Sequence, residues 1–414
     1  MRLRVPAPAV SLRLVTEETP GRGLVAVALT VAAGGDDDPP GRHGTAHLVE
    51  HLMFPRGEGH EAGGFVALVQ EAGGMCNAET HRDHTVVHTV VPADALPDVL
   101  ALEARRLLRF RPAPATVRSE AAVIAEEIRA AGAGARLWDT VLAALHPGAR
   151  HAYGTTAELT GVTAEEAESF FRTHYRPERA VLSIVGDVDA GRVAALVERE
   201  FGAWAPGLPT AAPAPHLPSG HVPSPHRPVL GVAIPYARDG VAVGHALADA
   251  RGDFRLYVAQ VVLCELLRRS RLPDLVATAP EVDAATVQCG YQGQWLASAA
   301  PDLALVLLGR VPGAGTEEAV GRWLEALGEL AATPPGETEL RRAARVLRAG
   351  CHRQSDSLPA RAVTHARAAL LLPHATPDAL PAHLAAVTPA DVSTAARALL
   401  AAPRTVHPLE GAAA

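Results

Sequence analysis

The sequence has no lysine and few aromatic residues. All 38 of its basic residues are arginine, they are outnumbered by 45 acidic residues, and the formal net charge is −7. A mildly acidic chain without a run of basic residues argues against nucleic acid as a main partner. Aromatic residues make up only 4% of the chain, so alanine, valine and leucine must fill most of the core.

Cysteine is also scarce, and none of the four cysteines lies in a Cys-x-x-Cys pair. Such scattered thiols predict free cysteines in a reducing compartment rather than a disulfide framework. The residues concerned are Cys76, Cys264, Cys289 and Cys351.

Long apolar runs are missing as well. Residues 1–20 lack the apolar segment of about 7–15 residues that marks a signal peptide. The sequence has no run of about 18 apolar residues, the length that a transmembrane helix needs. We therefore expect a cytoplasmic protein with no membrane partner.

The chain has 414 residues, 48% of them apolar, which suits two domains of roughly 200 residues each. Residues 205–228 consist mostly of Pro, Ala, Gly and Ser and lie near the middle of the chain. This composition predicts a stiff, extended linker. We predict an N-terminal domain at 1–206, a Pro-rich linker at 207–228 and a C-terminal domain at 229–414.

Apolar runs and helical periodicities follow a similar order in the two halves. In the first half they predict strands at 24–33, 85–91 and 180–186, and helices at 45–54, 64–71, 96–110, 116–129 and 188–203. In the second half they predict strands at 229–236, 284–288 and 304–311, and helices at 254–270, 317–331 and 337–353. The predicted fold class is α+β, with a duplicated unit.

The most informative motif is His47-Leu48-Val49-Glu50-His51, inside the predicted helix 45–54. At about 100° per residue, His47 and His51 lie about 40° apart and one turn along, so both imidazoles can bind one zinc ion. Glu50 lies about 60° from His47 around the helix, on the side away from His51. Its carboxylate is then beside the metal but poorly placed to bind it, which is the position that a general base requires.

A catalytic zinc ion also needs a third protein ligand. The best candidate is Glu127, 76 residues after His51 in a predicted helix. Glu120 lies two turns earlier on the same face and could orient a ligating histidine, whereas Glu126 points about 100° away and is expected to be solvated. By themselves these features are weak, because paired histidines and Glu-Glu pairs are common on exposed helices.

A family resemblance adds to these features. The stretch 44–54 (GTAHLVEHLMF) resembles the signature of the pitrilysin/insulinase family of inverzincin zinc peptidases, which includes mitochondrial processing peptidase. Three further stretches resemble motifs of this family in the same order: 73–91 (GGMCNAETHRDHTVVHTVV), 119–128 (SEAAVIAEEI) and 170–189 (FFRTHYRPERAVLSIVGDVD). The resemblance is weaker in the second half, where it rests mainly on 229–236 and 270–272.

The resemblance implies two homologous α/β-sandwich domains, each a mixed sheet covered by helices, that form half of a clamshell chamber. It implies an N-terminal catalytic domain with one zinc ion bound by His47, His51 and Glu127. Glu50 would activate water, and Glu120 would be the carboxylate behind a histidine ligand.

The resemblance also implies a substrate-binding strand at Asn77–Ala78, which would pair with the backbone of an extended, unfolded peptide. Asn77 could also position the scissile carbonyl. Alternatively, Asn77 is a turn residue at the end of a strand.

One feature of the family is missing from this sequence. Active single-chain members carry an Arg and a Tyr, seven positions apart, in the C-terminal domain, where they stabilise the oxyanion. Here the residues seven positions before Tyr236, Tyr257 and Tyr291 are Val229, Ala250 and Ala284. Either a homologous partner subunit supplies the pair in a heterodimer, in which the C-terminal domain lines the substrate chamber and contacts the partner, or the alignment of the second half is wrong.

Three functions stay open on the sequence alone. The first is a zinc-dependent endopeptidase that processes the leader or targeting segments of unfolded peptides. The second is a non-catalytic scaffold subunit of the same family, which would have no need for both the ligands and the base. The third is a structural zinc site, which usually has four ligands, often cysteine. We assign no metal role to the neighbouring residues His43, His81, His84 and His88.

Overall fold

A computed structural model of the protein describes residues 3–4, 12–54, 63–204, 229–231, 233–299 and 301–411. The predicted linker at 207–228 lies outside the described residues. Every helix in the described part of the chain is too short or too polar to traverse a lipid bilayer.

The elements of the first half are β1 (Leu3–Arg4), β2 (Arg13–Glu18), β3 (Leu24–Val31), α1 (Thr45–Leu52), α2 (Gly63–Glu71), β4 (Met75–Thr80), β5 (Thr85–Pro92), α3 (Leu96–Leu108), α4 (Pro114–Ala130), α5 (Ala133–Leu145), α6 (Thr156–Leu159), α7 (Ala164–His174), β6 (Ala180–Gly186) and α8 (Ala190–Phe201). Those of the second half are β7 (Val229–Leu230), β8 (Ile234–Tyr236), β9 (Gly240–Ala246), α9 (Phe254–Leu266), α10 (Leu272–Thr278), β10 (Val282–Cys289), β11 (Leu303–Arg310), α11 (Thr316–Ala332), α12 (Glu337–Ser355), α13 (Leu358–Leu370), α14 (Ala379–Ala385), α15 (Pro389–Ala401) and β12 (Arg404–Gly411).

The first compact unit is built on a six-stranded mixed sheet in the order β1-β2-β6-β3-β5-β4. The pair β2 and β6 is parallel, and the other pairs are antiparallel. Both faces of the central strand β3 are buried because alternate side chains enter different clusters: Val25, Val27 and Leu29 join the main core, and Ala26 and Ala28 pack with α13. The strand β4 lies at the edge of the sheet.

The second compact unit is built on a sheet in the order β10-β11-β9-β12-β7, with β8 also paired to β12. The helix α5 packs on this sheet, where Leu137 and Val141 share a cluster with Ala242 and Leu305. A side chain at Gly244 would clash with Val141, because a Cβ there would lie 2.4 Å from its Cγ1. The glycine therefore lets the helix approach the strand closely.

The two units confirm the predicted fold class of two mixed sheets covered by helices. However, each half of the chain contributes one segment to the unit that the other half mainly forms. Residues 131–149 belong to the second unit and residues 353–377 to the first. The predicted bounds 1–206 and 229–414 do not include this exchange of segments. Each sheet has an apolar face that must be buried, and in both units the helix that covers it, α5 or α13, comes from the other half of the chain.

A buried ion cluster fastens α13 to the first sheet. The Glu17 carboxylate on β2 is fully buried and accepts hydrogen bonds from Arg361 Nε, at 2.8 and 2.7 Å, and from His365 Nε2, at 2.6 Å. Burial opposes the charge on Glu17, but the bonds from His365 and Arg361 outweigh it and lower the pKa of the carboxyl group. The charged pair is thus part of the folded state.

The Glu17→Gln substitution should destabilise the first unit by about 3–5 kcal/mol, because it removes the buried negative charge that Arg361 and His365 contact. Urea unfolding measures the loss, and amide hydrogen exchange in α13 should accelerate with it. The exposed Glu71 serves as the matched control, and Glu71→Gln should change the urea midpoint little. Equal midpoints for the two variants would contradict this interpretation.

Candidate metal centre

The N-terminal end of α1 is fixed by one buried carboxylate. Asp38 accepts hydrogen bonds from the backbone N–H groups of Gly44 and Ala46, both at 2.7 Å, which would otherwise have no partner at a helix start. Gly44 has a left-handed backbone with φ of 107°. These contacts set the start of the helix and thus the direction of its later side chains.

The buried helix α1 presents its polar residues toward α4. His47 and Glu50 are buried and His51 is half-buried, while Leu48 and Val49 belong to the main apolar core. The helix α4 contacts α1 through the same core. This contact brings together the histidine motif and Glu127, which lies 76 positions after His51 in the sequence.

Three side chains converge where the two helices meet. The Nε2 atoms of His47 and His51 each lie 3.8 Å from Glu127 Oε2. One potential ligand atom from each residue lies within 4.8 Å of the other two. In the described part of the chain, these three residues form the group of histidine, cysteine and carboxylate side chains that could bind a metal ion.

This donor set fits zinc. Tetrahedral zinc with bonds of about 2.0–2.1 Å separates its nitrogen and oxygen ligands by roughly 3.4 Å. Side-chain adjustments on the order of 1 Å would give that geometry, with no change in the helices. Three protein ligands would leave a fourth position open, and the 41% exposure of the Glu127 side chain shows that solvent reaches this group of residues.

A second carboxylate orients one of the imidazoles. His51 Nδ1 donates to Glu120 Oε2 at 3.2 Å, which directs its Nε2 atom toward Glu127. Burial opposes a charge on His51, but Glu120, Glu50 and Glu127 outweigh it and raise its pKa. By contrast, burial, reinforced by His51, lowers the pKa of His47 to about 3. His47 is therefore neutral at physiological pH, the form in which an imidazole binds metal.

Glu50 is a buried carboxylate next to this group. Burial is the main cause that raises its pKa, and the charges of Glu127 and Glu79 add to the effect. The hydroxyl group of Thr80, at the end of β4, donates a hydrogen bond to Glu50 Oε2. This bond holds one oxygen, so that the orientation of the carboxylate is fixed. A carboxylate with a raised pKa is a stronger proton acceptor than an ordinary exposed carboxylate.

The strand β4 runs past the metal centre. Asn77 is exposed and lies opposite His88, and the half-buried Ala78 lies opposite Val87. In the described part of the chain, β4 pairs with β5 on one side and with no other strand on its other side.

The other histidines near the motif lie outside the candidate ligand group. His43 Nε2 donates to the carbonyl oxygen of His151 at 2.7 Å, and the rings of His81 and His84 stack at 4.4 Å. His88 lies on β5, facing β4. All four cysteines are free, as the sequence predicted.

The sequence interpretation missed three residues at this centre. Asp38 lies six residues before Gly44 in an Asp-rich loop, so its spacing matches no common capping motif. Thr80 lies within the family-like stretch 73–91 but was given no role. Tyr153, whose ring lies edge-on to the His47 ring at 5.3 Å, comes from a distant loop that no pattern singled out.

Two family models match the chain. Residues 13–158 match the model described as insulinase (peptidase family M16), and residues 161–347 match the one described as peptidase M16 inactive domain. Together these matches cover more than half of the chain. The chain belongs to the insulinase family, M16. This assignment confirms the resemblance found in the sequence.

Curated relatives support the same family. The chain is 34% identical over 196 residues to an uncharacterized zinc protease of Mycobacterium leprae, a match that covers 46% of this chain and 44% of the relative. It is 26% identical over 196 residues to a probable mitochondrial-processing peptidase subunit beta of Schizosaccharomyces pombe, covering 46% and 43% of the two chains. The chain spans about half the length of these M16 relatives.

Solved structures show the same fold. A protease from Helicobacter pylori superposes with a TM-score of 0.83 at 20% identity, with 99% of each chain covered. The first half of the periplasmic protease PqqL from Escherichia coli gives 0.74 at 17% identity, with 99% of this chain and 92% of that chain covered. At this level of identity these M16 structures support the fold alone.

The buried cap Asp38 gives a test by pH. Burial raises its pKa to about 7 although Gly44 and Ala46 donate to it. Between about pH 4 and pH 7 the folded chain thus keeps a proton that the unfolded chain has lost, so stability falls as pH rises through this range. Relative to Asp38→Asn, wild type should lose about 1.4 kcal/mol per pH unit in this window.

Unfolding of both metal-free proteins in urea, at a series of pH values, measures this difference. Groups that titrate alike in the two proteins cancel, so the slope isolates Asp38. A difference that does not change between pH 4 and pH 7 would show that the cap is ionised when folded.

Proposed function

We propose that this chain is the catalytic, zinc-bearing subunit of an endopeptidase. The observation that carries the proposal is the convergence of His47, His51 and Glu127 beside the buried carboxylate of Glu50. His47, His51 and Glu127 would bind one zinc ion. When bound, zinc polarises a carbonyl group and lowers the pKa of water.

Around this ion, the side chains of the protein have distinct roles. Glu50 accepts the proton of the attacking water and then transfers it to the leaving amine, so the carboxylate returns to its starting state. Thr80 holds the Glu50 carboxylate in position through its hydroxyl group. Glu120 keeps the Nδ1 atom of His51 protonated, so that the lone pair of Nε2 faces the metal.

The substrate in this proposal is an unfolded peptide bound along β4. The edge strand offers the backbone N–H and C=O groups around Asn77 and Ala78 to an extended chain. Strand pairing uses the backbone, so it requires an unfolded segment but little sequence specificity. Leader or targeting segments satisfy this requirement, and a relative at 26% identity is named a mitochondrial-processing peptidase subunit.

The proposal includes a partner subunit. The family's Arg and Tyr, seven positions apart, have no counterpart in the second half of this sequence. Tyr257 is fully buried and donates to Asp302 Oδ2 at 2.6 Å, and the hydroxyl group of Tyr291 donates to Asp139. These two tyrosines have structural roles, so we infer that a homologous chain supplies the missing pair.

The purified chain alone should therefore hydrolyse unfolded peptides only slightly. Addition of a homologous chain that carries the Arg and Tyr should raise the rate on the order of 10²-fold or more, since these groups would stabilise the oxyanion. Rates with and without the second chain, measured on one fluorogenic peptide, give the comparison. Full activity of the chain by itself would rule out this part of the proposal.

The roles of the site residues are separable by substitution. Glu50→Gln should bind one zinc ion per chain but lose activity by on the order of 10²–10⁴-fold, because an amide cannot accept the proton. Glu127→Gln should lose zinc as well as activity. Mass spectrometry measures the zinc content of each variant. Peptide hydrolysis, under the conditions in which the wild-type protein is active, measures the activity.

The adjacent Glu126 gives the matched control. Its side chain is 68% exposed and pairs with Arg129 on the surface, so Glu126→Gln should keep both zinc and activity. Zinc retained by Glu127→Gln, or wild-type hydrolysis by Glu50→Gln, would refute the assigned roles.

A further inference from the structure

An exposed aromatic ring lies beside the metal centre without a role in the steps above. Tyr153 is 44% exposed, and its ring centroid is 5.3 Å from that of His47, with an angle of 89° between the ring planes. Large exposed apolar side chains are few in the described part of the chain: Leu24, Leu68, Met75, Leu108 and Tyr153. Tyr153 is the aromatic member of this set, and it contacts a metal ligand.

The loop that carries Tyr153 is fastened to the segment before α1. The Arg150 backbone N–H donates to Asp36 Oδ1 at 3.1 Å, and its guanidinium donates to the carbonyl oxygen of Asp38 at 2.7 Å. Two residues before Tyr153, and separated from it by Ala152, the carbonyl oxygen of His151 accepts a hydrogen bond from His43 at 2.7 Å. The tyrosine therefore projects from a well-anchored backbone.

On the other side of Tyr153, two glycines hold the loop against the start of α1. Gly154 has a φ of 80°, and a Cβ at this position would lie 2.4 Å from the Cα of Gly44. A larger residue at Gly154 would push the loop away from the helix. The ring is thus positioned relative to His47 by backbone contacts on both sides and does not depend on a flexible connection.

A peptide that is cleaved at this centre must place the side chains next to the scissile bond close to the ligand imidazoles. An aromatic ring in that position offers an apolar surface that water covers in the free protein. Aromatic rings contribute large contact areas at little conformational cost, and they pair well with apolar and aromatic groups.

We propose that Tyr153 is a specificity-determining residue, whose exposed ring packs against an apolar or aromatic side chain of the substrate beside the cleaved bond. This inference rests on the proposed peptidase function, and it adds the class of side chain that the site prefers. The ring, and not the hydroxyl group, makes the contact.

The test uses the full-length, zinc-loaded Glu50→Gln chain, so that peptides bind but are not cleaved. The probes are two 12-residue unstructured peptides that are identical except for a central Phe or Asp. Fluorescence anisotropy gives the ratio of their dissociation constants. We expect the Phe peptide to bind about tenfold tighter, the size of effect that one side chain has in an apolar pocket.

Adding Tyr153→Ala to this protein should bring the ratio close to one, while Tyr153→Phe should keep it. Leu108→Ala is the matched control, because Leu108 is 46% exposed at the end of α3, and its loss should leave the ratio unchanged. The zinc content of each variant is measured in parallel.

Three results would overturn the inference. One is equal binding of the two peptides to the starting protein, and another is an unchanged ratio in Tyr153→Ala. The third is loss of zinc with equal loss of both peptides, which would show that Tyr153 only supports His47. Because this readout is affinity, and the proposed function is tested by hydrolysis, failure of one can be told from failure of the other.

Discussion

The candidate metal centre depends on the packing of α1 against α4. Leu48 and Val49 of α1 share one buried cluster with Ala121 and Ile124 of α4, and each large apolar side chain buried in this way contributes roughly 1.5–3 kcal/mol. This packing brings together His51 and Glu127, two of the proposed ligands, which are 76 positions apart in sequence. Since the ligands sit on packed helices rather than on loops, their spacing is set before any metal binds.

Burial in the same core also shapes the chemistry of the site. It lowers the pKa of His47 and raises that of Glu50, so one group is kept neutral for metal binding and the other is able to exchange a proton. Glu120 reverses the effect at His51, where a buried carboxylate favours the protonated ring. Burial and the neighbouring carboxylates together thus shift the pKa values of these three groups in different directions.

The sequence predicted the local features well because they repeat at short range. The spacing of His47, Glu50 and His51 follows from helix geometry, and α4 was found through its own periodicity. The sequence could not predict that α5 packs in the second unit and α13 in the first. An apolar helix face indicates that the helix must be buried, but it does not indicate which sheet covers it. Asp38 and Tyr153 were missed for a related reason: their contacts with the site depend on the fold.

The central claim is that two imidazoles and one carboxylate bind a single zinc ion. X-ray absorption spectroscopy of the zinc-loaded protein tests it most directly. The account predicts a first shell of nitrogen and oxygen atoms at about 2.0–2.1 Å, with two imidazole ligands, and loss of this shell in Glu127→Gln. A sulfur shell at about 2.3 Å, or a spectrum unchanged by that substitution, would contradict it.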